Sequence, residues 1–295
     1  MTDHDQNGEK LAQRLSLIPG FRILRELEVN SGVEKLPTVA DSEQIAAVLD
    51  LETTGLNFDR DHPIELAFQR FIFDGSGNIS AIEQIKSWRE DPGVQIPFRL
   101  TQLTGLTAAD LAGQRFADQQ IIESLENVAV FIAHNAGFDR PFFDKRFPTL
   151  ASKAWACTLT QVDWLSLGFD GRSLGYLLMQ AGWFFQGHRA ANDVAALTKL
   201  LALKAEGFET IFGKLLERSD TTSVCIDAVG APFELKDLLK DAGYRWKPSQ
   251  RLWSLETDEA LVDDAMAWLE EKIYRGANRA RLRRITARER FARDQ

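Results

Sequence analysis

The sequence predicts an α/β fold in which a mixed β-sheet is flanked by helices, followed by a small α+β module and a basic tail. Strand-like apolar segments come first along the chain and then alternate with helical segments, an order typical of α/β domains. Residues 128–133 form a continuous apolar run, as expected for a strand that is covered on both faces. After about residue 218 the pattern changes to a short β-α-β-β-α order.

Hydrophobic spacing predicts the elements of the main domain, residues 41–218. The predicted strands are residues 45–51, 64–73, 79–88 and 128–133. The second and third are joined by Asp74-Gly75-Ser76-Gly77-Asn78, which has the composition of a hairpin turn. The predicted helices, after short turns within residues 98–112, are residues 117–126, 137–147, 159–167, 173–181 and 189–206.

The two ends of the chain carry different patterns. Residues 1–40 are treated as an N-terminal extension, with a helix predicted over residues 8–17 and either a strand or more helix over residues 21–24. Residues 219–223 have the composition of a linker, and residues 219–274 are assigned to the small α+β module. Residues 275–295 are assigned to an arginine-rich tail.

Composition limits the class of protein. Among 295 residues, 44% are hydrophobic and 26% are charged, and no run approaches the roughly 20 apolar residues of a membrane span. The acidic, polar start argues against a secretory signal, so a cytoplasmic location and no membrane partner are expected. With only Cys157 and Cys225 present, the chain has neither a disulfide framework nor a cysteine zinc cluster.

The formal net charge of −8 is unevenly distributed along the chain. Residues 275–295 hold eight arginines and two acids, a local charge of +6, so the other 274 residues carry −14. A basic tail on an acidic body predicts a polyanionic partner for the tail, and a solvated terminal helix is the alternative.

The main domain is organised around residues 46–56, where an apolar run ends in Asp50-Leu51-Glu52-Thr53-Thr54-Gly55-Leu56. Alternate residues of a strand share one face, so Asp50 and Glu52 converge. Two carboxylates on one face repel each other unless a proton or a divalent metal ion lies between them. Mg²⁺ and Mn²⁺ prefer such oxygen ligands. Taken alone, the stretch is equally compatible with a strand that ends in a solvated acidic turn.

Two further segments carry similar side chains. Residues 130–139 run from a buried strand into a helix that presents Asp139, and residues 187–193 open a helix with His188 and Asp193. Taken singly, each has a structural explanation, because acids near a helix start are favoured by the helix dipole. A lone histidine is also more often a hydrogen-bonded structural residue than a catalytic one.

Taken together, these segments resemble the DEDD superfamily of 3′-to-5′ exonucleases in its histidine subclass (DEDDh), which includes the proofreading subunit of bacterial DNA polymerase III. The resemblance covers roughly residues 43–205, with the motifs in family order. The tyrosine subclass would place Tyr at position 189, which is Arg189, whereas the histidine subclass places His at position 188. Because five residues rotate by about 140° around a helix, His188 is expected in the loop before it.

The resemblance implies a ribonuclease H-like sheet and two divalent ions, Mg²⁺ or Mn²⁺. In that family pattern Asp50 bridges both ions, Glu52 and Asp193 hold the ion that activates water, and Asp139 holds the other. His188 would accept the proton of the attacking water. The implied reaction is hydrolysis of the phosphodiester bond at the 3′ end of DNA, with RNA as the alternative substrate, releasing nucleoside 5′-monophosphates.

The implied partner is nucleic acid with a free 3′ end, preferably single-stranded, together with a polymerase or repair protein that the sequence does not identify. Thr53 and Leu56 are implied to contact the 3′-terminal nucleotide. The alternative function is a nucleic-acid-binding module on a nuclease-like fold that has lost catalysis, and the intact set of acids argues against it. DNA is not distinguished from RNA, because that depends on contacts to the 2′-hydroxyl group.

The small module is a second candidate contact surface. The side chains predicted to contact phosphates are Arg245, Lys247 and Arg251. The neighbouring Tyr244, Trp246 and Trp253 fit either a platform for stacked bases or the core of a module too small to be stable without large aromatic residues. For the two tryptophans the core is the favoured interpretation.

Overall fold

A computed structural model of the chain describes residues 3–277 and 279–293. Its strands are β1 (Arg25–Glu26), β2 (Glu43–Thr53), β3 (Pro63–Asp74), β4 (Ile79–Ile82), β5 (Lys86–Arg89), β6 (Val128–Ala133), β7 (Ala154–Cys157), β8 (Trp183–Phe184), β9 (Ser223–Ala228), β10 (Arg245–Lys247), β11 (Leu252–Asp258) and β12 (Arg281–Ile285). Its α-helices are α1 (Asp3–Ser16), α2 (Phe98–Thr104), α3 (Ala108–Leu111), α4 (Asp118–Leu125), α5 (Ala136–Arg146), α6 (Thr158–Gln161), α7 (Leu174–Gln180), α8 (Ala190–Leu201), α9 (Ile211–Asp220), α10 (Lys236–Asp241) and α11 (Val262–Trp268). Short 3-10 turns cover Pro148–Leu150, Phe233–Leu235 and Glu259–Leu261, and a π-helical segment covers Leu269–Tyr274.

The main domain contains the predicted mixed sheet, with strand order β4-β3-β2-β6-β7 and β5 paired to β3. β2 is antiparallel to β3 and parallel to β6, and β6 is parallel to β7. Because β2, β6 and β7 run in the same direction, their carboxyl ends lie along one edge of the sheet. This mixed sheet confirms the predicted α/β class, and α8 and α5 pack on its two faces.

The central strand β2 is buried on both faces. Ala46 and Val48 pack in one apolar cluster with Val194 of α8, whereas Leu49 and Leu51 pack in a second cluster with Phe143 of α5. Since side chains alternate along a strand, Asp50 and Glu52 continue the face that α8 covers. The side chains of Asp50 and Glu52 therefore lie on the side of the sheet where α8 packs.

Some elements differ from the sequence prediction. The segment 79–88 is two strands rather than one, and Glu83, between them, is buried in an ion pair with Arg70 at 2.7 Å. The helix predicted over residues 159–167 is limited to α6, and the rest is loop. The short strand β7 and the helix α9 were not predicted. Because α9 ends at Asp220 and β9 begins at Ser223, the expected linker is largely helix and strand.

Part of the N-terminal extension packs on the main domain. β1 pairs in parallel with β8, Leu27 is buried, and Val33 forms an isolated bridge with Glu83. α1 is connected to β1 through an ion pair between Glu9 and Arg25 at 2.6 Å. In the described part of the chain, no helix is both long and apolar enough to cross a membrane.

The C-terminal module contains an antiparallel sheet in the order β10-β11-β9-β12. Its last strand comes from the arginine-rich segment, so this segment is not the separate tail that the sequence predicted. Tyr244 and Trp253 are buried in the module core, which excludes them as a platform for bases, and Trp246 is 46% exposed. The charge-rich sequence of this segment gives no sign that it pairs as a strand, because its partner strand β9 lies about sixty residues earlier in the chain.

The segment after β12 returns to the main domain. The backbone N–H of Trp155 donates to the carbonyl of Ala287 at 2.9 Å, and Phe291 packs on the same cluster as Leu49. Arg140, only 1% exposed, donates to the carbonyls of Ala151, Arg288 and Arg290 at 2.6 to 2.9 Å. These contacts tie the C-terminal segment to α5.

We predict that Arg140→Met lowers the free energy of unfolding by about 3 kcal/mol, because several buried carbonyls lose their donor. Urea denaturation of the full chain measures this change. The matched control is Arg218→Met, which removes the half-exposed pair with Asp258 and should cost less than about 1 kcal/mol. Equal destabilisation by the two substitutions would contradict the role assigned to Arg140.

Candidate active site

Three acidic side chains converge at the carboxyl end of β2. Asp50 and Glu52 come from the strand face that α8 covers, and Asp193 comes from the first turn of α8. One carboxylate oxygen from each lies within 4.8 Å of the others, a spacing that suits a shared metal ion. Oxygen-only ligand sets of this kind favour Mg²⁺ or Mn²⁺ over softer metals.

The fourth acid approaches from the opposite face of the sheet. Asp139 lies in the first turn of α5, is 2% exposed, and accepts a hydrogen bond from the Leu51 N–H at 3.1 Å. Leu51 is the residue between Asp50 and Glu52, so this bond ties α5 to the strand that carries both acids. The structure therefore brings all four predicted acids to one place.

Burial dominates the electrostatics of this cluster. It is the largest cause that raises the pKa of Glu52 to about 8, of Asp139 to about 7 and of Asp193 to about 6, and it raises the pKa of Asp50 well above its ordinary value. The neighbouring carboxylates raise the pKa values of Asp50 and Glu52 further. A cluster of buried acids with such shifts marks a candidate functional site, because a cation would relieve the repulsion.

His188 lies in the loop immediately before α8, as its spacing from Asp193 predicted. The helix begins at Ala190 with Arg189 as its N-cap residue, and His188 has a left-handed backbone with φ of 64°. The His188 side chain is exposed, and its charge lowers the pKa of Asp193. The loop thus presents the histidine to solvent beside the carboxylate cluster.

Sequence reasoning missed a fifth acid, Glu65 on β3. It lies directly opposite Glu52 in the strand pair and is 2% exposed. Its carboxylate accepts hydrogen bonds from Arg189 Nη2 at 2.9 Å, from the Ala190 N–H at 3.0 Å and from Arg89 Nε at 3.4 Å. The available signal was a single acid inside the apolar run of residues 64–68, which is costly unless it has a partner.

Arg189 joins Glu65 to the carboxylate cluster. Its side chain binds Glu65, whereas its backbone N–H donates to Asp193 Oδ2 at 3.1 Å. The start of α8, including His188 and Asp193, is therefore anchored to β3.

The turn after β2 contains Thr53 and Leu56, the predicted contacts of a terminal nucleotide. Thr53 is buried and its hydroxyl donates to the Gly55 carbonyl at 2.6 Å. A Cβ atom on Gly55 would lie 2.5 Å from Asp61 Oδ2, so only glycine fits without moving that carboxylate. Leu56, in the same turn, is 86% exposed, which leaves its side chain accessible to a ligand.

The predicted phosphate contacts of the module lie on the C-terminal sheet, whereas Asp50 and Glu52 of the carboxylate cluster lie on the main sheet. Arg245 and Lys247 are on β10, and Arg251 lies in the turn before β11 with φ of 52°. Their role in substrate binding stays a prediction.

Comparison with known proteins identifies relatives of the main domain. A sequence model described as "Exonuclease" matches residues 47–201. DNA polymerase III subunit epsilon of Aquifex aeolicus is 32% identical over 164 residues, which covers 53% of this chain and 78% of that protein. The PolC-type DNA polymerase III of Clostridium perfringens is 34% identical over 182 residues, and the match spans 60% of this chain but only 12% of that protein.

Solved structures show a weaker likeness. A structure of exonuclease I aligns over 83% of this chain and 63% of its own, with 16% identity and a TM-score of 0.48. Exonuclease X in complex with 5′ overhanging duplex DNA aligns over 57% of this chain and 99% of its own, with 23% identity and a TM-score of 0.38.

The raised pKa values predict that the metal-free chain loses stability as the pH rises. Ordinary carboxyl groups titrate near pH 4 in an unfolded chain, whereas Asp139 titrates at about 7 and Glu52 at about 8 in the folded state. Between pH 6 and pH 8 the folded state holds more protons than the unfolded state, so we expect the free energy of unfolding to fall by roughly 2–4 kcal/mol.

Urea denaturation in EDTA across this pH range measures the change. Glu52→Gln should flatten the profile, because the amide does not titrate, whereas Glu206→Gln, at an exposed position, should leave it unchanged. A Glu52→Gln profile as steep as that of the wild type would contradict this prediction.

Proposed function

The chain belongs to the exonuclease family, in its DEDDh branch of 3′-to-5′ exonucleases, and we propose that it hydrolyses phosphodiester bonds at the 3′ end of single-stranded DNA. The observation that carries the proposal is the convergence of Asp50, Glu52 and Asp193 within 4.8 Å, beside Asp139 and His188. The released product would be a nucleoside 5′-monophosphate. Fold alone does not establish activity, so the argument rests on this cluster.

The cluster fits divalent metal ions. Asp50, Glu52 and Asp193 would hold one Mg²⁺ or Mn²⁺, and Asp139 with Asp50 would hold a second. Their raised pKa values support this assignment, because four crowded acids need either protons or cations near pH 7. When bound, such a pair of ions supplies a nucleophilic water at neutral pH and neutralises charge on the phosphate and on the leaving oxygen.

The protein's own side chains would position the substrate and move the proton. His188 is exposed beside Asp193, where it would accept the proton of the attacking water and return it to solvent. Leu56, exposed on the turn after β2, would pack against the terminal base, and Thr53 stabilises that turn. Arg189, bound to Glu65, would keep the histidine loop in place.

DNA is favoured over RNA by the relatives. The Aquifex aeolicus protein is named as a subunit of DNA polymerase III, which supports a role in DNA replication or repair and a polymerase or repair protein as partner. The chain spans only about an eighth of the PolC-type relative, so the activities of that whole protein do not transfer. Turnover on DNA and RNA oligonucleotides of the same sequence would compare the two substrates.

We predict that Asp50→Asn lowers the turnover number by at least about 1,000-fold, because about 4 kcal/mol of charge stabilisation in the transition state is lost. Release of label from a 3′-labelled single-stranded oligonucleotide in Mg²⁺ measures the rate. The control is Glu206→Gln, which should retain the wild-type rate. Wild-type rates in both Asp50→Asn and Asp193→Asn would overturn the proposed function.

His188 is predicted to act on a proton and not as a metal ligand. His188→Ala should lower turnover by about 10²- to 10⁴-fold, the usual contribution of a general base. If His188 is a general base and not a ligand, the Mn²⁺ affinity of the His188→Ala variant should stay within about twofold of wild type. Calorimetric titration measures this affinity. A large loss of Mn²⁺ affinity would instead place the histidine among the ligands.

A further inference from the structure

We propose that the C-terminal sheet carries a second binding site, a basic groove that holds the single strand upstream of its 3′ end. The inference rests on the proposed function for the identity of its ligand. The basic groove is the polar face of the sheet β10-β11-β9-β12, and it encloses about 450 Å³.

The strand register shows how the basic groove is built. Val224, Ile226 and Ala228 of β9 point to the module core, so Ser223, Cys225 and Asp227 point to the opposite face. Paired residues form two rows across this face of the sheet. One row contains Arg245 of β10, Ser254 of β11 and Asp227 of β9. The other contains Glu256 of β11, Cys225 of β9 and Arg283 of β12. The register therefore places Ser, Cys and two acidic side chains on the two central strands and long basic side chains on both edge strands.

The central residues form a closed floor. Ser223, Cys225 and Ser254 are each at most 5% exposed, and Cys225 Sγ lies 2.8 Å from Ser254 Oγ. On the two sides of this floor, Arg245 on β10 and Arg283 on β12 are exposed. With strands about 4.8 Å apart, the two edge strands are about 14 Å apart, a width that accommodates one extended nucleic acid strand.

Charge complementarity favours a polyanion in the basic groove. Five basic and two acidic side chains line it, a local charge of +3 in a chain whose net charge is −8. The acidic Glu256 is already paired with the buried Arg290 at 2.9 Å. Phosphate groups are the ligands that basic rims on a polar floor fit best.

The position of the basic groove relative to the sheet edge supports the same ligand. Thr160 and Gln161, at the end of α6, line one end of it. α6 directly follows β7, and β7 ends at the same sheet edge as β2, which carries Asp50 and Glu52. β6 is the single strand between them, so the lateral separation is roughly 10 Å.

A neighbouring cavity extends the basic groove along that edge. It measures about 480 Å³ and shares Thr160, Gln161 and Arg218 with the basic groove. Its other charged lining residues are two basic and two acidic ones, Arg172, Lys214, Asp163 and Glu217. The Arg172 carbonyl lies 2.7 Å from His134 Nε2, and His134 directly follows β6. A strand whose 3′ end lies at the carboxylate cluster can therefore pass β6 and β7 and enter the basic groove.

The test neutralises each rim separately in the full chain. One variant is Arg245→Gln with Lys247→Gln, and the other is Arg283→Gln. The matched control, Lys236→Gln with Lys240→Gln, removes the same charge from α10, which packs on the opposite, apolar face of the sheet through Leu239. Fluorescence anisotropy in EDTA measures binding of a 5′-labelled oligothymidylate of about 20 nucleotides, independently of hydrolysis.

Each single-strand phosphate contact contributes about 0.7 to the slope of log K against log salt concentration. The double variant should therefore bind about 10- to 30-fold more weakly at 0.1 M salt, with a slope shallower by about 1.4. Arg283→Gln should lose about 5-fold, with a slope shallower by about 0.7. Turnover on a short oligonucleotide of two nucleotides, which spans less than the roughly 10 Å between β2 and the end of β7, should be unchanged in both variants.

The proposal would be overturned if both rim variants bound the oligothymidylate with the same affinity and salt slope as the control variant. The basic groove would then be assigned to a different partner, such as an acidic protein. Lost turnover on the short oligonucleotide would overturn it too, because the substitutions would then act on the active site. If the wild-type chain hydrolyses neither oligonucleotide, the proposed nuclease activity fails, and the binding measurement in EDTA still decides whether the basic groove holds a single strand.

Discussion

Mutual repulsion among buried carboxylates is the constraint on which the main domain depends. Asp50, Glu52, Asp139 and Asp193 lie together where burial raises their pKa values, so the folded state accommodates their charge poorly. Three elements hold them in place. The pleat of β2 aligns two acids, the Leu51 N–H fixes the third, and the start of α8 brings the fourth. Buried acids whose pKa values are raised in this way are typical of functional sites rather than of structural cores.

Glu65 shows how the same chemistry serves structure when partners are present. It is as buried as Asp139, yet its carboxylate accepts from the Arg189 side chain and from the Ala190 N–H. Buried acids with matched donors connect elements instead of destabilising them. Through Arg189 this ion pair joins β3 to the loop that carries the candidate base. The geometry of the site therefore depends on a buried acid that is not one of the four proposed metal ligands.

The C-terminal module is small for independent folding, and its attachment to the main domain compensates for its size. Arg140 and Arg290, both buried, bond to backbone carbonyls on either side of the junction. Arg293 pairs with Asp59 at 2.7 Å, in the loop that follows the Leu56 turn. The same contacts hold the polar face of the module sheet beside the carboxyl edge of the main sheet. Arginines that the sequence suggests as a tail for polyanions are thus divided between structural contacts and an exposed rim.

The sequence by itself determined the α/β class, the main strands and the four acids with their histidine. The alternation that aligns Asp50 with Glu52 is a local signal, whereas Asp139, His188 and Asp193 were selected through the resemblance of the combined motifs to the exonuclease family. Helical rotation then excluded His188 from the helix of Asp193. Only the tertiary structure revealed the partners of Glu65 and Arg140, which lie 124 and 150 residues away along the chain. It also decided that the arginine-rich segment is a strand, because strand pairing depends on which backbone lies alongside and not on local composition.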